Sequence, residues 1–439
     1  MTRPSRPHST AFTVALALLA LLGVPHPATA QDERTVTLEE AIELALRHSP
    51  QIAQATGAMS NAESAERTAW GAFLPSLSLS TRTSLSSSTR FNSETNTVVT
   101  SPSSQSYNAG LSSSIDLFTG GRRGAQLEQA RAQTAAAEVA FVQQRFAVML
   151  AAKRAVFDVL QADELIRIAE ARVQRAREGV EAATRRMEVG SGTRSDVLRA
   201  GLELTNAQQS LLQARSQRRT AAFALGRLVG ESGPVGARLT EPLQPRPLAY
   251  SREELLQLVL EQAPSVRSAV AAQRAADASV RSARAQYLPT LSASASYNLV
   301  NQEVDFRTAN KSWSIGAGIS YPIFNRFQRE DAVARANVQA DIARVQLEDA
   351  KRQARAEFER VMAGLELAEQ QIALAEEAVQ AAEEDLRMQE ERYRLGVATI
   401  IDRVTSQLNL VQAEVDRIAA RYAYQLARAE LEALVGRSL

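Results

Sequence analysis

Two four-residue motifs, TRSD and TIID, place an acidic side chain at a defined spacing: Thr193 with Asp196, and Thr399 with Asp402. A threonine followed three residues later by an acidic residue is typical of a capping box at a helix start, with Asp here in place of Glu or Gln. The sequence therefore predicts that both aspartates cap helices and face the favourable end of the helix dipole. An additional role stays open, because several such carboxylates at one mouth of a tube would filter or gate cations.

Residues for catalysis or metal binding are scarce. The chain has no Cys and three His, of which His8 and His26 lie in an expected signal peptide. The third, His48, directly precedes Ser49-Pro50, where a helix-end position is expected. Without a second His, a Cys or a Gly-rich phosphate loop, the sequence disfavours an enzyme and predicts no cofactor and no metal site.

Residues 1–30 have the features of a signal peptide. Arg3 and Arg6 precede the apolar stretch AFTVALALLALLGV, and ATA at 28–30 fits a cleavage site. A membrane anchor is the alternative, but this apolar stretch is shorter than the ~20 residues of a membrane helix. Without those two arginines, 48 of the 50 basic residues remain against 49 acidic ones, a net charge of −1. The absence of a basic excess disfavours nucleic acid as a partner.

The chain repeats one plan twice. Pro50 and Pro264 lie 214 positions apart, and Gly190 and Gly396 lie 206 positions apart. The difference between these offsets falls between two predicted strands, as expected for a change in loop length between duplicated units. We predict a first structural repeat over 31–230, a Pro-rich linker over 231–249 and a second repeat over 250–439.

Four segments alternate polar with apolar or methyl-bearing residues, which predicts strands with one apolar face and one face rich in Ser, Gly and Asn. These strands span about 76–91, 106–118, 290–300 and 312–324, and the second apolar stripe runs through Ile115 to Leu117. Their length suits tilted transmembrane strands of about 9–11 residues. A half-buried sheet of a soluble domain is disfavoured, because the polar face has few charged residues. Aromatic residues near the strand ends predict a membrane girdle: Phe73, Phe118, Tyr287 and Phe324.

The rest of the mature chain is predicted to be helical, with long helical hairpins over about 123–229 and 329–435. From Ala336 to Leu386, apolar residues recur at steps of four and three, with one extra step of four near Ala354. This pattern predicts a coiled-coil seam with a stutter. In each hairpin the second helix, which we call the return helix, is too short to cover the whole length of the first. The helices that precede the strands have the right length to cover the remainder, over about 52–72 and 266–287.

Four membrane strands predict an oligomer, because unpaired strand edges are not tolerated in lipid. Two chains would supply eight strands, whose interior is normally filled by side chains, whereas three chains supply twelve strands and space for a pore. The predicted fold is mostly α with a small membrane β part. In a homotrimer, the four strands per chain complete a 12-stranded β-barrel, which a long coiled-coil α-helical barrel continues.

With these features, the mature chain resembles the TolC-like outer-membrane efflux protein family (outer membrane factor). The resemblance rests on the duplicated plan and on the segments LPSLSLS, LPTLSAS, LFTGG, VGSGTRSDVL and LGVATIIDRV. It implies a trimeric channel-tunnel in the cell outer membrane with a long periplasmic portion. Such a channel is the passive exit duct of a tripartite efflux pump or a type I secretion system. The implied partners are a periplasmic adaptor (membrane fusion) protein, an inner-membrane pump reached through it, and outer-membrane lipid.

The resemblance also implies roles for the tips of the helical hairpins. Family tunnels narrow at an aspartate-lined aperture that matches Asp402, while Thr405 stands where the family's prominent member has a further Asp. The residues expected at this periplasmic gate are Asp402, Arg403, Tyr393, Asp196 and Arg194, with Arg199 adding charge. The residues expected to dock the adaptor are Gly190, Thr193, Gly396, Val397 and Thr399.

The alternative function is that of a periplasmic adaptor-like coiled-coil protein without a pore. Such a protein has no need of four strands of membrane-spanning length. It also normally has one helical hairpin, whereas this sequence predicts two.

Overall fold

Both halves of the chain share one series of elements, to which the first half adds a short hairpin and the second a 3-10 turn. A computed structural model describes residues 33–94, 96–100, 104–239, 248–305 and 307–437. The first half contains β1 (Thr35–Val36), α1 (Leu38–His48), α2 (Pro50–Gly71), β2 (Ser76–Ser86), β3 (Thr89–Asn92), β4 (Thr97–Thr100), β5 (Ser104–Phe118), α3 (Arg122–Glu188) and α4 (Arg194–Val229). The second contains β6 (Gly236–Ala237), α5 (Arg252–Gln262), α6 (Pro264–Arg284), a 3-10 turn (Ala285–Tyr287), β7 (Thr290–Asn301), β8 (Asn310–Ser320), α7 (Gln328–Arg394) and α8 (Ile400–Val435). The expected signal peptide and residues 240–247 of the predicted linker lie outside the described residues.

One antiparallel sheet contains strands from both halves, in the order β2-β5-β7-β8. Strands β5 and β7 join the repeats, with Ser112 opposite Ser296. The sheet leaves β2 and β8 at its two edges. A second, unpredicted connection is the parallel pairing of β1 with β6, in which Thr35 lies opposite Gly236.

The two faces of this sheet differ in chemistry, as the period-two pattern predicts. On one face, serine hydroxyls meet across neighbouring strands; the oxygens of Ser78 and Ser112 are 2.7 Å apart. The other face is apolar and open, with Leu79 and Ile315 each 76% exposed. An apolar face of this extent is unusual on a protein surrounded by water.

The structure corrects three predictions about the strands. The first strand ends at Ser86 and not at residue 91, because 89–92 pair with 97–100 in a separate short hairpin. The fourth strand ends at Ser320 and not at residue 324, next to Pro322, which has no N–H for a ladder hydrogen bond. A bulge in β5 makes Leu117 an extra residue, which interrupts the period-two alternation predicted from Ile115 to Leu117 and places Phe118 opposite Leu291.

The long helices form the centre of each half. Helices α2 and α4 pack on α3, while α6 and α8 pack on α7, as the predicted helix lengths require. Helix α3 also contacts α6 and α8, which joins the two halves. Most residues of the predicted α7 seam are buried: Ala340, Ala343, Leu347, Ala354, Phe358, Val361, Leu365, Ala368, Ile372, Ala375, Val379 and Leu386. Across the described ranges, no helix has both the length and the apolar character to cross a bilayer.

The connection from sheet to long helix has the same backbone conformation in both repeats. Gly120 and Gly121 have φ angles of +63° and +86°, and their counterparts Arg326 and Phe327 have +59° and +63°. Positive φ favours glycine at such positions. The space around the two glycines differs, because a Cβ on Gly120 would lie 2.7 Å from the carbonyl oxygen of Ala285. A Cβ on Gly121 would meet no atom of the described residues within 4 Å.

We expect Gly120→Ala to lower the thermal unfolding midpoint more than Gly121→Ala does. Both variants place alanine at positive φ, at a cost of roughly 1–2 kcal/mol, but only the first adds a collision with backbone. Heat denaturation of the purified protein, followed by circular dichroism, gives the two midpoints. Equal losses in the two variants would contradict the steric argument.

Candidate functional site at the helix tips

The ends of the long helices form tight turns. Gly190 and Gly396 follow α3 and α7 with φ angles of +78° and +81°. The residue after each glycine donates its backbone N–H to a carbonyl of the last helical turn. The N–H of Val397, for example, donates to the carbonyl of Arg392 at 2.9 Å. This is the Schellman arrangement, which satisfies carbonyls at a helix end and needs a left-handed residue. The chain then reverses into α4 or α8.

Each return helix starts with a complete capping box, as the motif spacing predicts. The Thr399 backbone N–H and hydroxyl both donate to Asp402 Oδ2, each at 2.8 Å, and the Asp402 N–H donates to Thr399 Oγ1 at 3.3 Å. The corresponding distances between Thr193 and Asp196 are 3.0, 2.7 and 3.2 Å. Each carboxylate is therefore positioned within its own turn.

These hydrogen bonds keep both aspartates ionised. The backbone N–H of Thr399, followed by its hydroxyl, lowers the pKa of Asp402 below its ordinary value, and the positive charge of Arg392 acts in the same direction. For Asp196 the Thr193 hydroxyl makes the largest contribution to the lowered pKa, followed by the Thr193 N–H. Each tip thus carries a negative charge at neutral pH, exposed at Asp402 and partly exposed at Asp196.

Tyr393 is the centre of a contact between the two repeats. The Cζ atom of Arg186, on α3, lies 4.7 Å from the centre of the Tyr393 ring, and that of Arg403 lies 5.4 Å from it. Arg186 also donates a hydrogen bond to the Tyr393 carbonyl. A buried tyrosine ring that meets two guanidinium groups is a cation–π arrangement. It holds the end of α7 against α3.

Arg403 is fitted closely against the first repeat. A Cβ at Gly179 would collide with Nη2 of Arg403, so the guanidinium occupies the space that this glycine leaves on α3. The Arg403 Nε is buried without a hydrogen-bond partner. Burying such an N–H has a cost, which the contacts of this guanidinium with the Tyr393 ring and with α3 must offset.

Comparison with known proteins identifies the family. The sequence model of the outer membrane efflux protein family matches residues 41–231 and 255–437. The chain belongs to this family. Its members are outer membrane channels, and the protein is located in the outer membrane. The resemblance inferred from the sequence is confirmed, and membership argues against the adaptor-like alternative.

Individual relatives agree with this assignment. The outer membrane efflux protein BepC of Brucella suis is 28% identical over 343 residues, which cover 72% of this chain and 74% of the relative. The protein CyaE of Bordetella pertussis is 29% identical, over 93% of this chain and 83% of the relative. The outer membrane protein VceC of Vibrio cholerae has a similar fold, with a TM-score of 0.77 and 23% identity over 91% of this chain and 96% of that one.

The structure places the other residues predicted at the gate outside the contact around Tyr393. Arg194 is exposed in the first turn of α4, and Arg199 acts on Asp196 only through its charge. Val397 is exposed beside Gly396. Sequence reasoning missed Arg186 and Gly179. One signal was available for Gly179, because a glycine inside a long helix usually has a packing reason.

The predicted aromatic girdle lies at the sheet–helix connection. Arg123 donates to the carbonyls of Ala72 and Leu117, both at 3.2 Å, and lies 4.9 Å from the centre of the Phe73 ring. This contact brings the start of β2 and the end of β5 together. In the second repeat Arg329 donates to the carbonyls of Pro322 and Ile323 and lies 4.9 Å from the Tyr287 ring. The remaining predicted members, Phe118 and Phe324, are exposed nearby, as are Trp70 and Tyr321.

In the described ranges, no group of three or more His, Cys, Asp or Glu side chains is arranged to hold a metal ion.

We expect acid to loosen the second tip. A lowered folded-state pKa means that the Asp402 contribution to stability is complete above the ordinary value near 3.8 and is lost as pH falls through the folded-state value. Hydrogen exchange at the Thr399 and Asp402 amides, corrected for intrinsic rates, should therefore accelerate below about pH 4. Asp402→Asn should remove this pH dependence. Unchanged protection down to pH 2 in the parent protein would contradict the assignment.

Proposed function

We propose that this protein is a homotrimeric channel-tunnel of the outer membrane. In this proposal the trimer is the passive exit duct of a tripartite efflux pump or a type I secretion system. The duct is gated at the periplasmic tips of its helices.

The observation that carries the proposal is the four-stranded sheet. Its β2 and β8 edges each have one pairing partner in the described chain, and one face is apolar and open. In a bilayer, the apolar face meets lipid and the edges must pair with other copies, because no water is present to satisfy backbone groups. Three copies supply twelve strands, and the Ser, Gly and Asn face then lines a wet interior.

The helices extend this duct away from the membrane. Helix α7 has 67 residues, which at ~1.5 Å each give about 100 Å. In a trimer the long helices and the helices stacked on them form a continuous wall around the axis. The aromatic residues Phe73, Phe118, Tyr287 and Phe324 then form a ring at the membrane surface, where such side chains are favoured.

The gate in this proposal is formed by the second tip. Asp402 carries an exposed charge held in place by its capping box, and three copies would bring three carboxylates to one mouth. Tyr393, with Arg403 and Arg186, ties that tip to the first repeat, so release of this contact would widen the mouth. Asp196 and Arg194 of the first tip contribute charge around it.

Partners and cargo follow from the same family. The turns around Gly190, Thr193, Gly396, Val397 and Thr399 are the free ends of the tube, where a periplasmic adaptor linked to an inner-membrane pump would dock. Relatives include the pyoverdine export outer membrane protein OpmQ and the alkaline protease secretion protein AprF, both of Pseudomonas aeruginosa. Both small-molecule export and protein secretion are therefore candidate activities. Deletion of the gene, with assays of drug susceptibility and of secreted proteins, separates them.

Single-channel recording tests the duct directly. The purified mature protein, a trimer by light scattering, should give discrete cation-sensitive conductance in planar bilayers. We expect Asp402→Ala to raise by about tenfold the cation concentration that blocks half of the channel current. The reason is that the substitution removes three carboxylates from the mouth of the trimer at once. Asp331 lies in the first turn of α7, at the end far from the tip, so Asp331→Ala is the matched control and should leave the block unchanged. A monomeric, silent protein would overturn the proposal.

A second variant addresses the contact that ties the tip. Gly179→Ala should push Arg403 off its site and lengthen channel open times severalfold, with little loss of folding stability because only a flexible side chain must move. Gly201→Ala is the control, since its Cβ would meet no atom of the described residues within 4 Å, and the gain in helix propensity from Gly to Ala is the same at both positions. Equal open times in both variants would show that Arg403 does not hold the gate.

A further inference from the structure

The turn between β8 and α7 exposes two aromatic rings and one arginine. Phe324 and Phe327 are 70% and 68% exposed, and their rings meet edge to face with their centres 5.6 Å apart. Arg326 lies between them in the sequence and is also exposed. Its guanidinium has no hydrogen-bond or ion-pair partner among the described residues. An open apolar pair beside a free cation marks a surface that meets another molecule.

The backbone of this turn is strained, and the first repeat avoids that strain. Arg326 and Phe327 have φ angles of +59° and +63°, which residues with a side chain rarely adopt. Gly120 and Gly121 form the equivalent turn at positive φ without a side chain. Glycine would therefore suit the turn better at 326 and 327. Formation of the turn does not account for the arginine and the phenylalanine, which points to a role outside the fold.

The connections between the sheet and the helices carry positive charge only. Five arginines and no acidic residue occur in the four connecting segments: 71–75, 119–123, 284–289 and 321–329. Arg123 and Arg329 donate hydrogen bonds to carbonyls at or just after the strand ends. Arg284 and Arg326 are exposed. This level of the molecule therefore suits an anionic partner.

The turn also continues the open apolar face of the sheet. Strand β8 ends at Ser320, just before the turn, and Ile319 on its apolar face is 74% exposed. In the proposed duct that face meets acyl chains, so the turn lies where the hydrocarbon ends and the lipid headgroups begin. Aromatic rings are favoured at this depth, and a long basic side chain there reaches the phosphates while its stem stays in apolar surroundings.

The charges around the turn favour a headgroup without an ammonium group. The connecting segments have no carboxylate that would hold the ammonium group of a zwitterionic lipid. The next carboxylates along the chain are Glu330 and Asp331 on α7, and Asp331 pairs with Arg335 at 2.9 Å. An arginine also matches the geometry of a phosphate, to which its planar group donates two parallel hydrogen bonds.

We propose that the turn from Phe324 to Phe327 binds an anionic phospholipid at the periplasmic surface of the outer membrane. The Arg326 guanidinium donates to the phosphate, and the two rings lie among the first carbons of the acyl chains. The partner is a lipid and not a free phosphate ion, because the rings provide an apolar contact that an inorganic ion cannot use. The inference rests on the proposed function, since it requires the apolar face of the sheet to meet lipid.

Native mass spectrometry of the purified mature protein in detergent, titrated with phosphatidylglycerol or phosphatidylcholine, tests this site. We expect phosphatidylglycerol to bind at lower concentration than phosphatidylcholine. Arg326→Gln should raise the phosphatidylglycerol concentration for half occupancy about fivefold, which is the contribution of one arginine near an anionic lipid surface. The same variant should leave phosphatidylcholine binding unchanged. Arg335→Gln removes an exposed arginine farther along α7 and is the matched control, which should change neither value.

Glycine variants separate lipid binding from stability. Arg326→Gly and Phe327→Gly introduce the residues of the first repeat at positive φ, so both should raise the thermal unfolding midpoint in detergent without added lipid. Arg326→Gly should weaken the binding of phosphatidylglycerol only. Phe327→Gly should weaken the binding of both lipids, because the acyl chains that the ring contacts are common to both. A merely structural role of the turn predicts no such difference between the lipids.

The outcomes distinguish failure of this inference from failure of the proposed function. Equal binding of the two lipids by the parent protein overturns the inference and leaves the duct intact. The same holds for Arg326→Gln without effect, or for an equal loss of phosphatidylglycerol binding in Arg335→Gln. A protein that binds neither lipid and gives no conductance in planar bilayers overturns both.

Discussion

The structure depends on one constraint, which is that backbone N–H and C=O groups at a sheet edge need partners wherever water is absent. A sheet of four strands with an open apolar face cannot meet that requirement alone. In the proposed trimer, its two outer strands pair with those of the neighbouring copies. Each repeat supplies two neighbouring strands of this sheet, together with the long helices that follow them.

The second requirement is a sharp change of direction between sheet and helix. Both repeats meet it with two consecutive residues of positive φ, although only the first repeat has glycine there. Arg123 and Arg329 then donate to carbonyls at or just after the strand end, and each also covers an aromatic ring. An arginine suits this position because its planar group donates several hydrogen bonds while it stacks on the ring.

At the other end of the molecule, local stability and the proposed gating use the same residues. A capping aspartate is held rigidly by its own turn, which keeps its charge in a defined place. The contact between Tyr393, Arg186 and Arg403 joins the two repeats and buries one arginine N–H without a partner among the described residues. The proposed gate therefore combines a fixed charge with a contact between the two repeats.

The sequence alone determined those features that depend on neighbours along the chain. Period-two alternation located the strands, steps of four and three located the α7 seam, and Thr399 with Asp402 located a cap, because each involves residues a few positions apart. Only the tertiary structure decided the bulge at Leu117, the β1–β6 pairing and the contact of Arg186 with Tyr393. These depend on groups far apart in the sequence, whose relative position is set by how α3, α7 and the sheet pack together.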